Sequence, residues 1–116
     1  MIDNKKISET LREFANERDW NQFHTPRNLA ASISVESAEL LELFQWSSGS
    51  NWTDLNDTDL RSKCSHELAD ILIYLMRFSD LSVIDLEKAV LEKIEINRKK
   101  YPVEKSKGSD KKYHNL

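Results

Sequence analysis

With 116 residues, 20 acidic against 17 basic side chains and a formal net charge of −3, the chain is long enough for one compact core but not for two. That balance offers no basic stripe to neutralise polymer phosphates, which excludes charge-driven DNA or RNA binding but leaves room for a small anion escorted by a divalent cation. One cysteine, Cys64, and the scattered His24, His66 and His114 exclude an internal disulfide and a zinc cluster, and the longest apolar run, ILIYLM, is far below a membrane span of about 20 residues.

The N-terminal stretch MIDNKKISET has no apolar signal core, so the expected location is cytoplasmic. Nothing alternates with period two for long, and the two glycines and two prolines fall where helices begin or end, which predicts an all-α chain. Helix one is expected over 4–19, with Ile7, Leu11, Phe14 and Ala15 as its apolar stripe. Helix two starts after Thr25, which can cap the free amides, with Pro26 at the first helical position, and is expected to run to Trp46. The polar, turn-rich SSGSNWTDLNDTD then forms a loop in which Trp52 is the one large apolar group besides a leucine. Helix three, from Asp57 or Thr58 to Ser79, carries Leu60, Cys64, Leu68, Ile71, Leu72, Leu75 and Phe78, a surface broad enough to need burial on more than one side, with Cys64 in the core. Ser82 and Asp85 form a capping signal for helix four, in which Leu86, Val90 and Ile94 repeat until Pro102. Residues 1–102 are thus one domain, and 103–116 a polar tail expected to be mobile.

Two carboxylate pairs stand out on this frame: Glu36 with Glu39 in helix two, and Glu67 with Asp70 in helix three. Each is spaced i, i+3, so both members project from one helix face. With 20 acids in 116 residues, chance alone supplies roughly three such pairs, and spacing by itself means little. Context separates these two, because Leu29, Ile33, Leu40, Leu41 and Phe44 surround the first and Leu68, Ile71, Leu72 and Leu75 the second. Buried, unpaired carboxylates cost several kcal/mol, and a metal ion is the usual remedy; the alternatives are acids snorkelling at a core edge or salt-bridged on the surface. Four helices with short connections predict an antiparallel four-helix bundle in which the two pairs face each other. Four oxygen ligands without histidine or cysteine favour Mg²⁺, with Mn²⁺ as a substitute. A di-iron bundle would need Glu-x-x-His pairs, and neither helix has one.

These residues resemble the MazG-type all-α nucleoside triphosphate pyrophosphohydrolases, whose hallmark is E-E-x-x-E followed after a variable gap by E-x-x-D. Here it reads V-E-S-A-E, 27 residues, then E-L-A-D. Val35 stands where the first acid would be, as in the dCTP pyrophosphatase-like branch, and ERDWNQFHTPRNLA, ELLELFQW, ELADILIYL and KIEINRKKYP are similar to that branch's successive signature segments. The resemblance implies that Glu36, Glu39, Glu67 and Asp70 are Mg²⁺ ligands and catalytic groups, that Trp20, Phe23 and His24 help form a nucleotide pocket with Trp46 and Tyr74, and that Lys93 and Asn97 approach phosphates and sugar, with Arg98 beside them. It also implies a homo-oligomer, dimer or tetramer, whose pockets are lined by neighbouring subunits.

Read without the resemblance, several of these residues have two roles open. Tyr74, four residues after Asp70, continues the acid face and could reach a sugar or base, or be a core tyrosine. Trp20 and Trp46 at helix ends could stack on a base or close the bundle, His24 could bond a backbone carbonyl or a phosphate, and Lys93 with Asn97 could be a surface pair. The expected reaction is Mg²⁺-dependent hydrolysis of a nucleoside triphosphate between its α and β phosphates, giving monophosphate and pyrophosphate, with Glu39 as general base and dCTP or a modified dCTP as the implied substrate. Alternatives are another substrate such as dATP, or a catalytically silent helical module that binds a protein partner, its acids held by Lys63, Arg77 or Lys93.

Overall fold

Local capping chemistry sets where the helices begin. The structure, a computed structural model, describes residues 1–46 and 49–116. Asp3 accepts from the Lys6 amide at 3.0 Å and opens α1 (Asn4–Glu17); Thr25 accepts from the Asn28 amide at 3.1 Å and opens α2 (Pro26–Glu42), with Pro26 in the first turn as expected. Asp57 caps the Asp59 and Leu60 amides at 3.0 and 3.2 Å and opens α3 (Thr58–Ser82). Short 3₁₀ turns at Asn21–Phe23 and Trp52–Asn56 sit in the two connections. Among the described residues every regular element is helical, and no helix is long and apolar enough to cross a membrane.

The chain divides into two compact units, Met1–Val83 and Ile84–Leu116. In the first, α2 packs along α3, and α1 packs on α3 as well. Leu29, early in α2, shares a cavity wall with Ile73 and Arg77 late in α3, while Leu40 and Phe44 share another with Cys64 and Leu68 nearer its start. The two helices are therefore antiparallel, as the sequence predicts. Arg12 on α1 is tied to Asp80 on α3, its Nε donating to Oδ2 at 2.8 Å. Ala15, Leu29, Cys64 and Met76 form the buried apolar centre, which agrees with the core role expected of Cys64.

Three boundaries differ from expectation. α2 stops at Glu42 instead of Trp46, because Leu43, Phe44 and Gln45 donate to carbonyls three residues back, tightening the chain out of α-helical register. α1 stops at Glu17, before Asp19 turns to a φ of 53°. α3 continues to Ser82, whose hydroxyl donates to the Phe78 carbonyl at 2.7 Å, and ends on Val83 in left-handed conformation. Ser82 is thus no part of the next helix cap. In the second unit α4 (Leu86–Lys100) is capped by Asp85 alone, which accepts from the Lys88 amide at 3.0 Å. After it come α5 (Val103–Ser106) and a 3₁₀ turn at Tyr113–Asn115, and the Tyr113 ring meets Tyr101 edge-on with centroids 6.2 Å apart.

The broad apolar surface of α3 is only partly used within the chain. Cys64 and Met76 are buried, but Leu68 is 57% exposed and Leu75 37%.

Candidate metal centre and aromatic cavity

Antiparallel packing of α2 against α3 brings Glu36 to the pair Glu67 and Asp70. One carboxylate oxygen from each lies within 4.8 Å of the others. Glu39, one helical turn after Glu36, is exposed at the edge of this triad, near enough to act on both Glu36 and Glu67. Loss of water pushes the Glu36 carboxyl up to about 7, helped by Glu39 and by the charge of Asp70. Glu67 is raised for the same leading reason, with Glu39 again adding to it.

Among the described residues, neither acid pair is neutralised by a side-chain cation. Lys63 pairs instead with Asp59 at 3.0 Å, and Arg77 with Asp80 at 3.7 Å. Moreover, Glu36 Oε2 and Glu67 Oε2 are both buried and lack a hydrogen-bond partner. Buried anionic oxygens left in that state are costly unless something positive sits between them. An all-oxygen donor set on two rigid helices fits a hard divalent cation such as Mg²⁺, which keeps positions open for water and phosphate.

This crowding has a measurable consequence in metal-free protein. Glu36 has a folded pKa above the 4.5 of an ordinary glutamate, so the folded chain holds the proton more tightly than the unfolded one. The resulting stability is fully present below 4.5 and is lost as pH rises through about 7. Glu36→Gln cannot acquire the charge. With chelator present, the variant is expected to melt several degrees above the wild type near pH 8, the gap narrowing as pH falls from about 7 toward 4.5. Thermal melts across that range check it, and a gap independent of pH would contradict it.

Asp70 has a second role, because it also lines a cavity of about 610 Å³ together with Phe14, Trp20, Phe23, His24 and Tyr74. Trp20 meets Phe14 edge-on with centroids 5.6 Å apart, and His24 likewise at 6.5 Å. The cavity is thus walled by aromatics and opens beside a carboxylate. Four of the five residues expected to form a nucleotide pocket, Trp20, Phe23, His24 and Tyr74, are brought together here.

Trp46 follows the end of α2, is 91% exposed and does not line this cavity. Lys93 and Asn97 are exposed on α4, in the second unit, four residues apart on one helix; Arg98 on the same helix pairs with Glu95. His24 is held by a side chain: its Nδ1 accepts from Arg77 Nε at 3.1 Å. Arg77 itself was not singled out by sequence as part of a pocket, nor were Asn21 and Asn28. The one available signal was a cation between Met76 and Phe78 in an otherwise apolar run.

Residues 31–116 match the model of the MazG-like family. Over 109 residues, 90% of this chain, the sequence is 44% identical to dCTP pyrophosphatase 1 of Rattus norvegicus and 42% identical to dCTP pyrophosphatase 1 of Homo sapiens. The matched part spans 62% of the length of these curated relatives. Among solved structures, a pyrophosphatase from Archaeoglobus fulgidus superposes with a TM-score of 0.78 at 43% identity, covering 84% of this chain and 91% of that one.

Proposed function

The chain belongs to the MazG-like family, and on that footing we propose that it hydrolyses deoxynucleoside triphosphates, dCTP or a modified dCTP foremost, to the monophosphate and pyrophosphate. The observation that carries the reading is the position of Asp70, shared between an acidic triad with unpartnered oxygens and an aromatic cavity. A base held by aromatics and a triphosphate held at carboxylates through a cation need that adjacency. The relatives named dCTP pyrophosphatase 1 support cytosine as the base.

Glu36, Glu67 and Asp70 would hold Mg²⁺, with Glu39 completing the set. When bound, the cation neutralises phosphate oxygens, stabilises the charge that grows on them and makes a water easier to deprotonate. The chain's own groups do the rest. Trp20 and Tyr74 orient the base and sugar and exclude water from the cavity. Glu39, the exposed member of the acidic set, takes a proton from the attacking water as the bond between the α and β phosphates breaks and pyrophosphate leaves. Lys93 and Asn97 are assigned to phosphates and sugar, and Trp46 to a base.

A homo-oligomer, dimer or tetramer, is part of the proposal. Leu41, Trp46, Trp52 and Leu68 are 72%, 91%, 88% and 57% exposed, an apolar load that a second copy of the chain would cover.

The test is a panel of the deoxynucleoside triphosphates with Mg²⁺, assayed for pyrophosphate. Pyrophosphate release, fastest with dCTP, is expected and should vanish with chelator. Inorganic phosphate instead would mean a different bond is cut, and no product from any member would return the chain to a silent binding module.

A further inference from the structure

Arg77 sits late in α3 with 4% of its surface exposed, the only buried cation among the described residues. Its partners are spread over three directions. Nε donates to His24 Nδ1 at 3.1 Å, Nη2 donates to Asn21 Oδ1, and Nη1 faces Asp80 at 3.7 Å. Asp80 is in turn gripped by Arg12 of α1 through two hydrogen bonds.

The chemistry of this chain of contacts is one-directional. A guanidinium has five N–H donors and no acceptor, so His24 Nδ1 must present its lone pair to Arg77. A neutral imidazole accepting at Nδ1 carries its single proton on Nε2. A second proton on the ring would set an N–H on Nδ1 against the N–H of Arg77. No bond to Nε2 is found among the described residues, and the ring lines the aromatic cavity beside Trp20. The Nε2 N–H is therefore without a partner among the described residues, on a ring that lines this cavity and a smaller one walled by Pro26, Phe78 and Leu81.

We infer that Arg77 is a positioning residue that locks His24 as the Nε2–H tautomer, so that the ring donates a hydrogen bond to an acceptor atom of the bound base, a ring carbonyl or ring nitrogen. The second half rests on the nucleotide reading of the cavity; the first half does not. Asn21, on the 3₁₀ turn before α2, keeps the guanidinium from turning away from the ring.

Long-range ¹H–¹⁵N correlation spectra of the histidines tell the tautomers apart directly. Near pH 7.5, wild-type His24 is expected to be the Nε2–H form, and in Arg77→Met a mixture of both tautomers. A wild-type ring protonated on Nδ1 would overturn the inference without any variant. So would a ring in Arg77→Met that keeps the wild-type tautomer.

Kinetics supply the second readout. Arg77→Met should raise KM for the triphosphate about tenfold with a smaller change in kcat, the loss expected of one oriented hydrogen bond. His24→Gln keeps an N–H near the Nε2 position that needs no partner at Nδ1, so adding Arg77→Met to it should change KM by less than about twofold. Additive effects in this cycle would mean that Arg77 acts only on the fold. If no triphosphate is turned over by the wild type, the proposed function falls, and the spectra still decide the tautomer.

Discussion

Asp70→Asn is expected to lower triphosphate turnover by about a thousandfold or more while leaving helix content and melting temperature close to wild type. The substitution keeps the size of the side chain and removes one charge from the place where the acidic triad and the aromatic cavity meet. Stability should not suffer, because the triad of the metal-free protein is held together against repulsion that raises Glu36 and Glu67. Glu39→Gln is expected to act in the same direction, through loss of the exposed carboxylate that helps raise Glu36 and Glu67. Steady-state pyrophosphate assays with saturating Mg²⁺, paired with circular dichroism melts, check both. Near-normal cation-dependent activity in either variant would sink the assignment of the acids.

Leu29→Ala should have the opposite signature, a loss of fold. Leu29 is 2% exposed at the start of α2, where it faces the second half of α3 and backs the aromatic cavity. Truncation removes buried methyl groups and leaves a void beside an existing one, which costs about 2–5 kcal/mol. For a unit this small, that is a fall in melting temperature of at least about 10 °C. Chemical denaturation should show a lower midpoint with little change in slope. A melting temperature within a degree or two of wild type would mean that the α2–α3 contact is anchored elsewhere.

What could be read from the chain follows the range of the physics involved. Helix starts were legible at Thr25 and Asp57 because a cap is local chemistry. Helix ends were less so: α2 leaves α-helical register after Glu42 through bonds to carbonyls three residues back, which no residue in ELLELFQW announces. Ser82 had the spacing of a capping residue, yet its hydroxyl is taken by the Phe78 carbonyl of the preceding turn. The meeting of Glu36 with Glu67 and Asp70 followed from spacing and an antiparallel pair. That Glu39 would be the exposed member depends on how the helices are rotated, which spacing does not fix. Trp20, Phe23, His24 and Tyr74 were gathered by family resemblance, since they come from a turn and a distant helix. Arg77 was legible only as a possible partner of the acids and not as a neighbour of His24, for its partners Asn21 and His24 lie 56 and 53 residues away.

The facing oxygens of Glu36 and Glu67 can also be viewed as a clasp on chain topology. Nearly a third of the sequence, including the whole connection between α2 and α3, lies between Glu36 and Asp70. A cation bridging them would close that stretch into a loop, and in any partly unfolded chain that still held the ion it would remove conformational entropy much as a covalent cross-link does. Because closure entropy grows only slowly with loop length, the long polar connection costs the clasp little, and insertions there would be tolerated far better than any change in register along α2 or α3.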